Sequence, residues 1–383
     1  MESHLNEEQK AIQKAAREFA EGHFDADMAS AYEKNNQFPL ELWKKACELG
    51  FKGIDFPEKY GGQGYDFIEK LIILDEFCEV DSSLGVSLGL ADIGSRTILR
   101  LGNDDQKKDF LAPMTKGESI SAIVTDIPRK NQKNQFSIER KASGFIINGK
   151  KEFVVNGQIA DSILLLSKGC GEDAEGWCIF AVRTGLKGLF RESVTNPLGL
   201  RTSSLGKFTF DHFELNDSDL LNGQLHSSEK VFEFLNERKM ETSIQALGIA
   251  QNAFRKALDY SKRREQFKRK IIEFQGIQLM LADDAIQMEA ARSLMFRFFD
   301  SFTHSCLSSE VFTVFADVTK TFCTDMAVKV ALDGIRIFGG YGLTADFHVE
   351  RAFRDAKALQ NLEGDFMEEK SSVALKLASG IKL

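Results

Sequence analysis

Three stretches near the end of this chain hold residue types that could do chemistry together: Phe338-Gly339-Gly340-Tyr341-Gly342, then Val349-Glu350-Arg351-Ala352-Phe353-Arg354-Asp355-Ala356-Lys357, then Leu362-Glu363-Gly364. A glycine pair lets backbone approach a ligand closely. A carboxylate set beside a glycine, here Glu363 before Gly364, is a candidate for proton transfer. Taken singly, Glu363 reads as an ordinary solvated loop acid. The compound pattern is what carries the signal.

The elements that must position these groups are bounded first by composition. At 383 residues the chain exceeds one comfortable core, and 43% hydrophobic residues are ample to fill two or three. A net charge of −8 argues against nucleic-acid binding, which needs a basic surface. No apolar run reaches the ~18 residues of a spanning helix, and the start, Met1-Glu2-Ser3-His4, lacks the basic and apolar parts of a signal peptide. A soluble, cytoplasmic protein that does not engage a membrane is expected. The six cysteines form no Cys-x-x-Cys pair and the six histidines no helical metal pair, so reduced thiols and no metal site are expected.

Residues 1–118 read as helical: Asn6 opens a helix with apolar Ile12, Ala15, Ala16 and Phe19 on one face, followed by helical patterns at 40–49, 68–80 and 91–101. Asn103-Asp104-Asp105-Gln106 reads as a helix N-cap before Lys107 to Leu111. Pro57-Glu58-Lys59-Tyr60-Gly61-Gly62-Gln63-Gly64 is a turn. Over 119–225 the period changes to that of strands, with Asn148-Gly149 between two apolar runs reading as a hairpin turn. From 226 to 383 long amphipathic segments at 230–263, 275–302 and 310–338, and a shorter one near 367–378, suggest a helix bundle with surface buried against another subunit. The predicted order is therefore an N-terminal all-α domain, a middle β-barrel or sandwich, and a C-terminal four-helix bundle.

With that order in view, the chain resembles the acyl-CoA dehydrogenase family along nearly its whole length. The matching motifs are the Pro57 to Gly64 turn, Asn148-Gly149-Lys150-Lys151, Asn156 to Asp161, Leu198 to Ser203, Glu237-Arg238, Arg264-Glu265-Gln266-Phe267, Phe274 to Gln278 and the C-terminal stretches above. The resemblance implies FAD as cofactor and oxidation of an acyl thioester to its 2-enoyl product, on coenzyme A or on an acyl-carrier protein. It implies Glu363 as the base, or Glu237, at the position some members use instead. It places Asp92, Asn131, Arg238 and Gly364 at the substrate. At the cofactor it places Val124, Thr125, Phe153, Val155, Arg264, Phe267, Gln275, Arg336, Gly339, Gly340 and Asp365. A homotetramer in which two subunits hold each flavin, and an electron-transferring flavoprotein as acceptor, are also implied.

The chain departs from the family pattern in several places. The β-domain signature is reduced to Thr125-Asp126-Ile127-Pro128-Arg129-Lys130-Asn131-Gln132, Phe153 replaces a tryptophan, Val155 a threonine and Arg336 a glutamine. Asp365 and Glu369 bring two new negative charges toward the pyrophosphate, which predicts weaker flavin binding. These losses leave two other readings: a catalytically silent homologue that binds acyl carriers or partners an active subunit, and a flavin-dependent oxidase or monooxygenase on the same fold.

Overall fold

Helix α1 (Glu7–His23) starts where the Asn6 side chain accepts a hydrogen bond from the Gln9 backbone N–H at 2.8 Å while the Gln9 side-chain oxygen accepts the Asn6 backbone N–H at 3.1 Å, a capping box. The computed structural model describes residues 5–126, 135–170, 173–304, 307–362, 364 and 366–382. Helices α2 (Ala26–Lys34), α3 (Leu40–Glu48), α4 (Phe67–Val80), α5 (Ser82–Leu90), α6 (Ser95–Leu101) and α7 (Asp104–Thr115) complete the N-terminal domain. Asn103 caps α7 through the Gln106 N–H at 2.9 Å, as its type predicts. The single helix expected over 91–101 is instead a turn followed by α6. Gly94, at φ +88°, sits where right-handed helix stops, so Asp92 lies in a buried turn.

The middle domain is a sandwich of two sheets. Strands β1 (Ser121–Asp126), β4 (Ser162–Cys170) and β5 (Asp173–Arg183) form one, in the order β1-β4-β5 with β1 parallel to β4. Strands β2 (Phe136–Lys141), β3 (Gly144–Val154), β7 (Gly206–Leu215) and β6 (Leu189–Ser193) form the other, antiparallel throughout. Inward-facing Val124, Leu165, Phe180, Phe208 and Phe213 fill the space between them. The hairpin expected at Asn148-Gly149 does not form. β3 runs straight through the pair, which makes a β-bulge between Ile147 and Gly149. The Asn148 side chain is used to accept the His212 backbone N–H at 2.7 Å. Cys47, Cys78 and Cys323 are free buried thiols, whereas Cys178, in the β4–β5 pair, is disulfide-bonded, contrary to the expectation of reduced thiols throughout. A cysteine on an antiparallel pair lies within bridging distance of neighbouring backbone without any sequence spacing to announce it.

The C-terminal domain holds α8 (Ser228–Arg263), a short hairpin of β8 (Glu265–Gln266) and β9 (Arg269–Lys270), α9 (Gln275–His304), α10 (Ser309–Phe338), α11 (Val349–Gln360) and α12 (Phe366–Ala378). Met240, Ile244 and Leu247 of α8 share one core with Leu71 and Leu74 of α4 and with Met326 and Val330 of α10, so α8 is packed between two domains. Polar ties fix the third. Asn156 donates to Leu90 O (2.7 Å) and Ser121 O (2.9 Å), and Asp355 accepts from Ser82 Oγ and the Leu200 N–H, both at 3.0 Å. The charged run Val349 to Lys357 is therefore a helix whose inner face carries buried Arg351 and Asp355. Among the described residues no helix is long and apolar enough to cross a membrane.

Candidate active site

Glu237 and Asp92, far apart in sequence, are brought together in one tightly packed, buried cluster between α4, α6 and α8 that leaves no room for a water molecule. Glu237 sits on the inner face of α8, 1% exposed, and accepts from Arg96 Nε at 2.8 Å; Arg100 pairs with it from the next turn of α6. The Arg96 guanidinium stacks over the Phe67 ring at 4.0 Å and also pairs with Asp55. Asp92 is held between Lys52 at 3.0 Å and Lys70 at 3.1 Å. Lys70 continues to Glu241 at 2.8 Å, and Glu241 pairs with Arg238 one helical turn away. The result is a chain of buried ion pairs in which every carboxylate faces at least one cation.

Electrostatics follow from that geometry. Burial alone would raise the Asp92 carboxyl, but Lys52 and Lys70 outweigh it and hold the group well below the usual carboxylate range. Glu241 is likewise lowered, burial being overcome by Lys70 and Arg238. Burial would lower Lys70, but Asp92, Glu241 and Asp55 together raise it. The pairs are too buried for water to screen them, so breaking any one would strand its partner.

A second group of site residues gathers at one end of the bundle. Tyr260 of α8 stacks on Phe338 of α10 with ring centroids 4.1 Å apart, which ties the end of α10 to the end of α8. Arg264 follows α8 and places its guanidinium 5.6 Å from the Tyr341 ring. Arg336 donates to Asp333 at 2.8 Å and is otherwise 61% exposed. Gly339 and Gly340 are exposed, and a Cβ at either would meet nothing within 4 Å. Phe267 and Gln275 are exposed nearby on the hairpin and at the first residue of α9. The exposed Arg336 and half-buried Arg264 guanidinium groups beside open glycine backbone suit a phosphate, so this end fits the pyrophosphate of a dinucleotide cofactor.

The β-domain residues divide. Phe153 is exposed at φ +56° near the end of β3, where its ring is open to a planar partner. Val155 instead joins the core of Met240 and Ile244, and the Val124 side chain lies wholly inside the sandwich. β1 is an edge strand, so approach at Val124 and Thr125 is by backbone; the Thr125 carbonyl already accepts Lys151 Nζ at 2.8 Å. Glu369 does not stand as a free negative charge. It is buried against Lys320, with both carboxylate oxygens within 2.9 Å of Nζ. Glu363, Asp365 and Asn131 lie outside the described residues. Gly364 is described, and a Cβ there would come within 3.1 Å of the Glu369 carboxylate.

Sequence reasoning missed Lys52, Asp55, Lys70, Arg96, Arg100 and Glu241. A signal existed for some of them: Glu69-Lys70 interrupts the apolar run of α4, and Arg96 falls in an otherwise uncharged turn. Charges inside apolar periodicity are either buried in pairs or misassigned to the surface.

Models of the acyl-CoA dehydrogenase N-terminal, middle and C-terminal domains match residues 6–118, 128–213 and 229–366. An acyl-CoA dehydrogenase of Bacillus subtilis is 32% identical over 94% of this chain and 95% of its own length. A short-chain-specific acyl-CoA dehydrogenase of Clostridium acetobutylicum is 30% identical over 98% of this chain and all of its own. Among solved structures, butyryl-CoA dehydrogenase from Megasphaera elsdenii superposes with a TM-score of 0.87 at 27% identity, over 98% of this chain and 99% of that one. A chain from a study of the electron transferring flavoprotein of Acidaminococcus fermentans does so with a TM-score of 0.88 at 32% identity, over 98% and 99%.

Proposed function

Since this chain belongs to the acyl-CoA dehydrogenase family, we propose that it is an oxidoreductase acting on CH–CH groups, which dehydrogenates an acyl thioester at its α and β carbons with FAD as cofactor. The agreement with acyl-CoA dehydrogenases from end to end, through all three domains, is the observation that supports this reading most. A silent homologue is not favoured. The phosphate-fitting end of the bundle carries Arg264, Arg336 and open glycines, and Glu369, one of the two charges that weighed against it, is paired with Lys320.

The α C–H of a thioester is a weak acid, so the site needs a carboxylate free to take its proton. We assign that role to Glu363. Glu237 is clamped by Arg96 and Arg100 and could take a proton only by giving up those pairs, so it acts as a positioning residue. Arg264, Arg336, Gly339 and Gly340 hold the cofactor phosphates, and Phe153 shields the ring. Bound flavin supplies the acceptor for the β-hydrogen. The thioester is carried on coenzyme A or on a carrier protein, and electrons pass to an electron-transferring flavoprotein. The protein works in the cytoplasm as a homotetramer.

The test is the visible spectrum of purified protein before and after anaerobic addition of acyl-CoA and acyl-carrier-protein thioesters. The flavin band of the wild type should bleach with at least one thioester. Glu363→Gln should slow bleaching by about 10²–10⁴-fold, the usual worth of general base catalysis. Glu237→Gln should bleach with a much smaller loss. If only Glu237→Gln abolished bleaching, the base would move to α8; a colourless protein that could not be reconstituted with FAD would end the enzyme reading.

A further inference from the structure

A cavity of about 1170 Å3 opens where the loop between α2 and α3 faces the β-domain. Its other walls are α3, the residues just before β1, the turn between β3 and β4, and the loop between β6 and β7. None of the described residues assigned to the cofactor or the thioester lines it. It has room for an organic molecule of nucleotide size. Two donors on its wall have nothing to bond: Ser119 Oγ, in a residue 1% exposed, and the buried Gln158 Nε2 lack a hydrogen-bond partner among the described residues. Buried donors in folded proteins are as a rule satisfied, because leaving one unpaired costs its full desolvation. On the same wall is Arg201, half-buried, which gives Nε to the Pro197 carbonyl at 2.8 Å and pairs with no carboxylate among the described residues. The wall also carries acids. Asp161 already accepts the Ile120 N–H at 2.9 Å, and Glu48 and Glu118 are exposed to water that screens them. Arg201 is screened less, so its charge decides what the cavity attracts.

We propose that this cavity is a second ligand site, which takes an organic phosphate of nucleotide size. The phosphate accepts hydrogen bonds from the Arg201 guanidinium, the Ser119 hydroxyl and the Gln158 side-chain amide, three donors that have the capacity to spare. The body of the ligand lies against Phe38, Ile159 and Pro197, and the exposed amides of Asn35, Asn36 and Gln37 meet its hydroxyl and ring-nitrogen groups. The loop that carries Arg201 also ties the domains together. Thr202 Oγ1 lies 2.9 Å from Ser83 Oγ of α5, and the Leu200 N–H donates to Asp355 of α11 at 3.0 Å. A ligand held between this loop and the α2–α3 loop braces the N-terminal domain against the β-domain, so its binding stabilises the fold by mass action.

Calorimetric titration of the purified protein with AMP, adenosine, ribose 5-phosphate and inorganic phosphate, paired with thermal unfolding in each, tests this. AMP should bind and raise the Tm, and adenosine should bind at least about 10-fold more weakly, the worth of hydrogen bonds to a charged group. AMP binding more tightly than ribose 5-phosphate would mark the ligand as a nucleotide, and the reverse order would mark it as a sugar phosphate. Ser119→Ala, which deletes only an unpaired hydroxyl, should leave the circular dichroism unchanged and weaken AMP several-fold. Arg201→Met should weaken it by about 10-fold or more, again as lost hydrogen bonds to a charged group, with no change in flavin content. The proposal fails if adenosine binds as tightly as AMP, if inorganic phosphate does so, or if neither organic phosphate binds. AMP binding that neither substitution weakens would also overturn it, and would place the nucleotide at the cofactor or thioester site instead.

Discussion

Asp75 and Asp92, on α4 and in the turn after α5, are both buried, yet protons affect them in opposite senses. Asp92 faces two lysines and is held low, so its contribution to stability is present above the ordinary carboxylate range and is lost as pH falls through the folded value. Asp75 accepts a hydrogen bond from the Gln251 side chain at 2.8 Å, while burial and the charges of Glu76 and Glu79 push it up to about 8 against the pull of Arg292. Between the ordinary aspartate value of 3.8 and about 8 the folded protein keeps a proton that the unfolded chain releases, so stability falls as pH rises through that window. Urea midpoints compared near either end of the window should show the wild type losing stability on the alkaline side. Asp75→Asn, which cannot ionise, should lose less, by at least ~1.4 kcal/mol, the free energy of a tenfold change in proton affinity. Equal slopes for the two proteins would mean that Asp75 ionises freely. Neither behaviour could be read from the sequence, because the lysines that lower Asp92 come from the loop before α4 and from α4 itself, and no local spacing connects them to it.

β3 shows how an element can keep its sequence signal and change its meaning. Asn148-Gly149 between apolar runs predicts a hairpin, but both halves pair with β7 in one strand and the dipeptide becomes a bulge. Gly149 adopts φ +152°, and a Cβ there would lie 2.4 Å from the Gln135 carbonyl oxygen, a backbone atom that cannot step aside. Gly149→Ala should therefore cost about 2–3 kcal/mol, the upper range for a single substitution, seen as a lower urea midpoint with unchanged slope. A neutral result would mean that the bulge can relax. The long helices were legible, since α8, α9 and α10 keep their apolar faces over 30 residues or more. α5 was not: Ser82-Ser83-Leu84-Gly85-Val86-Ser87-Leu88-Gly89-Leu90 is poor in helix formers, and all nine residues are buried by packing that overrides propensity. Gly85 is required there because a Cβ would strike the Phe77 carbonyl of α4 at 2.6 Å.

On the scale of the whole molecule, the phosphate-fitting end of the bundle faces outward. Arg336, Gly339, Gly340 and Phe267 are all exposed there, along with Leu343 at 77%, and α9 adds the exposed apolar side chains Leu279 and Ile286. Apolar surface beside groups that suit a phosphate marks a face made to be covered. The two-subunit flavin site implied by the family would cover it, with Phe153 of one protomer and the arginines of the next closing on one cofactor. Mass action then makes a specific demand: if each FAD needs two chains, dilution that dissociates the assembly must release FAD, and added FAD must hold the assembly together. Light scattering during gel filtration, with flavin absorbance recorded in the same run, should show cofactor only in the oligomeric peak and a larger mass when FAD is added. Arg264→Ala with Arg336→Ala should weaken FAD binding by about 10-fold or more, as expected for lost hydrogen bonds to a charged group, and shift the assembly toward smaller species. A monomer that retained its full flavin on dilution would show that one chain builds the site alone, and would leave the exposed end of the bundle to some other partner.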